Sequence, residues 1–372
     1  GVILTALCYV DNEDYEMKLD MYPGNVCYNL TLAVERAGET AGYQESSKYF
    51  TFGAQATHDK DEAEIYVLVV GETARACNFG LYGYERNTTP LLDKAEGLVA
   101  FTDVLTQSNT THKSVPMLLS GASAENYDRI YREKGIITAF KEAGFHTAFF
   151  SNQRPNHSFI DFFGMEADEW KFIKEDVSEE ANISDDELLT LVDKQLNDGH
   201  RKLFIVLHMY GSHFNYKERY PSDMAVFRPD SLTDAKYENR EYLLNAYDNT
   251  IRYTDSFLAS LIEMLQRTNA SSAMLYTSDH GEDIFDDSRK LFLHASPVPS
   301  YYQLHVPFLI WMSEAYREGN PVQYEAVCMK SRWRVMHLSS IPCCLWVAYR
   351  LAIKKIVCLS PVSDMSFVPV IT

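Results

Sequence analysis

Long apolar runs are missing from this 372-residue sequence. No stretch reaches the roughly 18 to 20 apolar residues that a membrane-spanning helix requires, and the opening residues do not read as a signal peptide. The segment Gly1–Val10 is apolar over ten residues only, which suits a core strand or the last turns of a membrane helix. Positive charge is also scarce: 34 Lys plus Arg stand against 52 Asp plus Glu, a formal net charge of −18. That balance excludes a nucleic-acid partner, because phosphate backbones attract basic faces. It leaves phosphate chemistry open wherever a bound cation supplies the positive charge. The seven cysteines form no CxxC pair and are odd in number, so they define neither a zinc cluster nor a disulfide framework. Repeats and low-complexity tracts are absent as well.

What the chain does contain is a series of buried-strand patterns, each ending in polar groups. Glu64–Val70 is a near-continuous β-branched run of the kind found in central parallel strands, and it runs into Gly71-Glu72-Thr73. Phe145–Phe150 ends in Ser151-Asn152-Gln153. Lys202–Leu207 ends in His208 and places His213 close behind. Ala273–Tyr276 stops at Thr277-Ser278 and delivers Asp279 and His280 side by side before Gly281. Further strands are expected at Leu98–Val104 and at Val306–Trp311, the latter with Pro307 near its start, which suggests a strand end or an edge position. Between them lie helices expected near Cys27–Ala37, over Gly135–Ala143, from the capping box Ser184–Glu187 to about Asn197, and from about Glu241 to Gln266. Asp248 and Asp255 share one face of the last helix and read as surface or loop-anchoring carboxylates. Strand and helix alternate, so the expected fold is α/β: an open, doubly wound, mostly parallel sheet with helices on both faces. Such sheets bind ligands at the carboxyl ends of their strands, where Glu72, Asn152, His213, Asp279 and His280 collect. A carboxylate and an imidazole on rigid strand ends are metal-type ligands.

One more element belongs to this edge. Ser108–Pro116 precedes the apolar Met117-Leu-Leu, and hydroxyl residues before an apolar run mark a helix start. A threonine there either caps the helix or offers its hydroxyl to an anion at the helix N-terminus, and Thr110 and Thr111 compete for both roles.

At this point the sequence resembles a known family. Gly71-Glu72-Thr73-Ala-Arg75, Asn78-Phe79, Gly83–Pro90, Thr111-x-x-Ser114-Val-Pro116 and Ser151-Asn152-Gln153 carry the resemblance, together with Val206–His208, Gly211–His213 and Tyr220-Pro221. Tyr247–Thr250, Ser278–Glu282, His294 and Val306-Pro307 complete it. In this order, over about residues 64–313, they are similar to the phosphoethanolamine transferases of the alkaline phosphatase and sulfatase superfamily, which include the lipid A-modifying and mobile colistin-resistance enzymes. The resemblance implies Thr111 as nucleophile, five residues before Pro116 as in the relatives. It implies a catalytic zinc held by Glu72, Thr111, Asp279 and His280, with His213 and His294 facing the substrate phosphate or a second zinc and Asn152 lining the pocket. It further implies phosphatidylethanolamine as donor, a lipid A or glycan acceptor, a membrane surface, and a periplasmic catalytic domain at the inner membrane.

Three departures from the family pattern stand out. His112, Lys113 and Met117 occupy the neighbourhood where many relatives carry a cysteine pair; the family's N-terminal membrane helices lie outside this chain; and the pattern fades after about Arg317. The expected organisation is therefore a connecting segment over 1–62, a catalytic domain over 63–315 and a divergent tail over 316–372. A sulfatase would need a formylglycine motif, and Ser114-Val-Pro-Met-Leu118 has Leu where its Arg should stand. A phosphoglycerol transferase or phosphodiesterase would share the same metal site. A non-catalytic binding module on the same fold is the remaining alternative, and the intact set of site residues argues against it.

Overall fold

The computed structural model of the chain describes residues 24–56, 58, 62–175, 177–178, 182–331 and 357–358. Gly1–Val10 and the cysteine-bearing stretch after Ser331, apart from residues 357–358, lie outside the described residues. Two compact units are present. The smaller holds helix α1 (Gly24–Ser46), longer than the expected Cys27–Ala37, with Tyr43 Oη donating to the Glu133 carbonyl and Ser46 Oγ to that of Tyr131. No helix among the described residues is long and apolar enough to cross a membrane.

The larger unit is the α/β body. In chain order it contains β1 (Gln55–Ala56), β2 (Glu64–Gly71), β3 (Leu98–Phe101), α2 (Thr111–Leu119), α3 (Ile136–Glu142), β4 (His146–Ser151), α4 (Phe159–Gly164) and β5 (Glu169–Phe172). There follow α5 (Asp186–Asn197), β6 (Lys202–His208), α6 (Arg240–Arg267), β7 (Ser271–Ser278), β8 (Asp283–Ile284), β9 (Phe292–Leu293), α7 (Tyr301–Leu304), β10 (Phe308–Met312), α8 (Glu314–Gly319), α9 (Pro321–Lys330) and β11 (Val357–Cys358). Seven strands form one sheet in the order β3-β10-β7-β2-β6-β4-β5. The run from β7 to β5 is parallel, and β10 enters antiparallel to both β7 and β3. The expected mostly parallel sheet is observed.

Strand β2 lies at the heart of it, every residue buried, paired with β6 on one side and β7 on the other. Burying each large aliphatic side chain there stabilises the fold by about 1.5 to 3 kcal/mol relative to exposure. Helix α6 covers one face, with Leu243, Ile251, Leu258 and Leu265 in the same core as Val67, Val69 and Ile205.

Of the two places expected for Pro307, the strand end is observed: it precedes the paired span Phe308–Met312 and removes no ladder hydrogen bond, so β10 is an interior strand. The edges are β3 and β5, and the short β5, with Trp170 exposed, carries too little apolar alternation to read as a strand. The segment after Gly281 contains a further two-stranded pair, β8–β9. Asp248 and Asp255 are buried rather than surface groups and anchor loops. Asp248 accepts from Asn78, Tyr84 and Arg86, and Asp255 from the backbone N–H of Leu91 and Leu92.

Candidate active site

Strands β2 and β7 are parallel neighbours in the register Gly71↔Ser278, so the next residues, Glu72 and Asp279, leave the carboxyl edge together. Asp279 N–H donates to the Gly71 carbonyl at 3.0 Å, carrying the ladder one step beyond the strands. His280 follows, all but inaccessible to solvent like the two carboxylates. Its Nδ1 lies 2.9 Å from the Gly281 carbonyl. A carbonyl only accepts, so Nδ1 carries a proton and Nε2 is the ring nitrogen turned to the site. Nε2 faces Asp279 Oδ2 at 3.3 Å and Glu72 Oε1 at 3.5 Å.

One ligand atom from each of Glu72, Asp279 and His280 lies within 4.8 Å of the others. Thr73 helps to shape the group from a left-handed backbone (φ 61°), its N–H on Asp279 Oδ1 at 3.1 Å and its hydroxyl on Glu72 Oε1 at 2.7 Å. Asp279 Oδ2 is buried with no hydrogen-bond partner. Burial opposes ionisation of Glu72, yet the charges of His280 and His213 and the hydrogen bonds from Thr73 and Gln153 outweigh it and hold the carboxyl near 2. Asp279 is pushed well up, first by burial and then by the charge of Glu72. Two buried carboxylates, one of them with an orphaned oxygen, and the Nε2 of His280 make a donor set that fits a divalent cation such as zinc.

Helix α2 brings the hydroxyl. Thr111 is its first residue, and Oγ1 stands 3.3 Å from each Glu72 oxygen and 3.1 Å from His280 Nε2. Thr110 is the N-cap in extended backbone but makes no side-chain cap bond; its hydroxyl meets Ser108 Oγ at 3.1 Å. Of the two threonines, Thr111 is the one whose hydroxyl is shown against Glu72 and His280, and Thr110 caps the helix with no side-chain bond.

His294 lies beside this group, its ring 4.1 Å from that of His280 and its Nδ1 3.7 Å from Glu282 Oε2. Glu282 is buried, bonded by the Tyr216 hydroxyl, and pushed up by burial. His213 stacks on Tyr210 at 5.0 Å and is near enough for its charge to lower Glu72.

Asn152, expected to line the pocket, is buried and held through its amide nitrogen. Its Nδ2 donates to the Ile183 carbonyl and to Asp185 Oδ1, both at 2.9 Å. Asp185 in turn accepts from the N–H groups of Tyr210 and Gly211. The amide therefore steadies the loop after β6. The neighbour that sequence reasoning passed over, Gln153, reaches Glu72 Oε2 at 2.9 Å. Alternation at a strand end was the available signal, since successive side chains point to opposite sides.

The model of the family described as Sulfatase matches residues 64–337. The chain belongs to the sulfatase family. Among relatives, this sulfatase-family chain is 30% identical over 301 residues to the Kdo(2)-lipid A phosphoethanolamine 7''-transferase of Escherichia coli, covering 79% of this chain and 51% of that protein. It therefore spans about half the length of the relatives it matches. The C-terminal periplasmic domain of EptC from Escherichia coli, crystallised in complex with Zn, superposes with a TM-score of 0.66 at 28% identity, over 72% of this chain and 78% of that one. The integral membrane lipooligosaccharide phosphoethanolamine transferase A of Neisseria meningitidis gives a TM-score of 0.71 at 26% identity, over 88% of this chain and 62% of that one. Homologues of the sulfatase-family chain are thus enzymes, and transferases by name. The matched span begins at the first residue of β2 and takes in α8 and α9, beyond the limit at 315 read from the sequence. Ser114, where a formylglycine precursor would stand, is buried in α2 with its Oγ unpartnered, while Thr111 meets the metal-type group.

Proposed function

We propose that this chain is the catalytic part of a zinc-dependent transferase that moves phosphoethanolamine from phosphatidylethanolamine to a lipid A or glycan acceptor through a phosphothreonine at Thr111. The observation that carries the reading is the Thr111 hydroxyl at 3.1 Å from His280 Nε2 and 3.3 Å from both Glu72 oxygens. Glu72, Thr111, Asp279 and His280 are the proposed zinc ligands. When bound, the ion lowers the pKa of a coordinated hydroxyl and offsets charge on a phosphoryl group. Thr111 Oγ1 attacks the donor phosphorus, forming a Thr–O–P bond as the bond to diacylglycerol breaks, and the diacylglycerol oxygen leaves with a proton. An acceptor oxygen then attacks the same phosphorus, and Thr111 regains its hydroxyl. His213 and His294 face the phosphate and donate hydrogen bonds to it.

A lipid donor puts the reaction at a membrane surface. The integral-membrane relative, of which this chain covers 62%, supports an inner-membrane setting with a periplasmic catalytic domain. Residues 1–62 then serve as the connecting segment, 63–315 as the catalytic domain, extended by α8 and α9, and the remainder as its tail.

Peptide mass spectrometry after incubation with zinc and phosphatidylethanolamine tests the reading. Phosphoethanolamine on the Thr111 peptide is expected, and an adduct on any other residue would sink the assignment. Release to water with no acceptor modified would point to a phosphodiesterase, and transfer only from phosphatidylglycerol to a phosphoglycerol transferase.

A further inference from the structure

Glu72 is gripped from both sides. The Thr73 hydroxyl holds Oε1 at 2.7 Å, and Gln153 Nε2 holds Oε2 at 2.9 Å. Of its two N–H groups, the one not on Glu72 is shared between the Met209 carbonyl at 3.1 Å and His208 Nε2 at 3.2 Å. A carboxylate and a carbonyl only accept, so the amide has one orientation: turned over, it would set its own oxygen against both. Behind Gln153 stands a fixed frame. Ser151 and His208 are cross-strand partners in the β4–β6 ladder, both buried, with His208 Nδ1 at 3.1 Å from Ser151 Oγ. Ser151 Oγ also accepts the backbone N–H of Gln153 at 3.1 Å.

We infer that Gln153, braced by His208 and Ser151, is a positioning residue that sets the plane of the Glu72 carboxylate for metal binding. With one donor on each oxygen, the carboxylate cannot rotate about its last bond without breaking a hydrogen bond. Strand register supplies the frame, so the orientation is inherited from the sheet rather than from a loop. Partners that orient a ligand in this way shift metal affinity by about 10- to 100-fold when removed. This inference rests on the proposed role of Glu72 as a ligand.

The experiment measures zinc affinity of the full chain by competition with a chromogenic chelator, alongside the urea midpoint of the metal-free protein. Gln153→Met keeps length and removes the amide; zinc affinity should fall by about tenfold or more. His208→Leu removes the acceptor behind it and should weaken zinc in the same direction. His208→Gln, whose Oε1 can stand where Nε2 stood, should restore most of the loss. A purely structural role would lower the urea midpoint of these variants and leave the zinc affinity of the folded protein unchanged, and that result overturns the inference. Weakening by Glu72→Gln but not by Gln153→Met or His208→Leu overturns the brace alone. Indifference of zinc to Glu72→Gln overturns the functional reading and the brace with it.

Discussion

Replacing Gly211 by alanine tests how closely the site depends on one backbone contact. Gly211 has a left-handed backbone (φ 48°), and its N–H donates to Asp185 Oδ2 at 2.9 Å. A Cβ placed there meets the Glu72 carbonyl oxygen at 2.7 Å, its nitrogen at 2.9 Å and its Cβ at 3.3 Å. Two of those neighbours are main chain, so no rotamer change relieves the overlap. The left-handed conformation costs alanine about 1 kcal/mol, and forcing the backbones apart adds about 1 to 3 kcal/mol. The sum is a loss of about 2 to 4 kcal/mol, and the residue displaced is a proposed zinc ligand. Gly144 is the control. It too has positive φ (85°), but nothing lies within 4 Å of its added Cβ, so Gly144→Ala should cost only about 1 kcal/mol. Urea unfolding of the two metal-free variants isolates the steric part, and chelator competition shows whether zinc follows it. Gly211→Ala should be the less stable variant and the only one with weakened zinc binding. Equal stability of the two variants, with unchanged zinc affinity in Gly211→Ala, would refute the reasoning.

Thr111→Ala removes the proposed attacking oxygen with little volume change, so turnover should collapse by several orders of magnitude while circular dichroism is unaltered. Thr110→Ala, whose hydroxyl meets only Ser108 Oγ, should keep most of the activity. Burial pushes the Asp255 carboxyl up to about 6, against the partial relief of two backbone N–H donors. The native state therefore holds a proton that the unfolded chain has given up, and stability should fall by about 2 to 3 kcal/mol as pH rises from about 4 through 6. Asp255→Asn should flatten that part of the urea-midpoint profile, and an identical slope in the variant would contradict the assignment. Asp248→Ala strands the donors of Asn78, Tyr84 and Arg86 and should destabilise the fold by about 3 kcal/mol in the same assay.

The central strands were legible because their residues are buried on both faces, so Glu64–Gly71 and Lys202–His208 read as unbroken apolar runs. The end of the first run gave Glu72, and the end of Ser271–Ser278 gave Asp279 and His280. On residue pattern alone Thr111 was one of two candidates, because the turn that separates it from Thr110 is a backbone property, and the family resemblance made the choice. The contact of Gln153 with Glu72 was not legible beside Asn152: which side chain of a strand-end pair reaches a given neighbour depends on pleat phase and on the partner that captures the other. Here Asp185, itself fixed by the loop after β6, captures Asn152 and leaves Gln153 to Glu72. The interior place of β10 was one of two that Pro307 left open, since proline restricts a strand only where its missing N–H would have been paired.

The pairing Gly71↔Ser278 joins residues far apart in the chain, and Glu72 and Asp279 are brought together by nothing more local than that rung. A slip of one residue between β2 and β7 would turn one carboxylate to the opposite face of the sheet. No binding pocket then exists, even though every strand is formed. If the proposed zinc ligands bind the ion, uptake becomes a proofreading signal for assembly: a chain that takes up zinc stoichiometrically has threaded its central sheet correctly, and zinc retention during refolding would sort native molecules from collapsed, mispaired ones without any measurement of turnover.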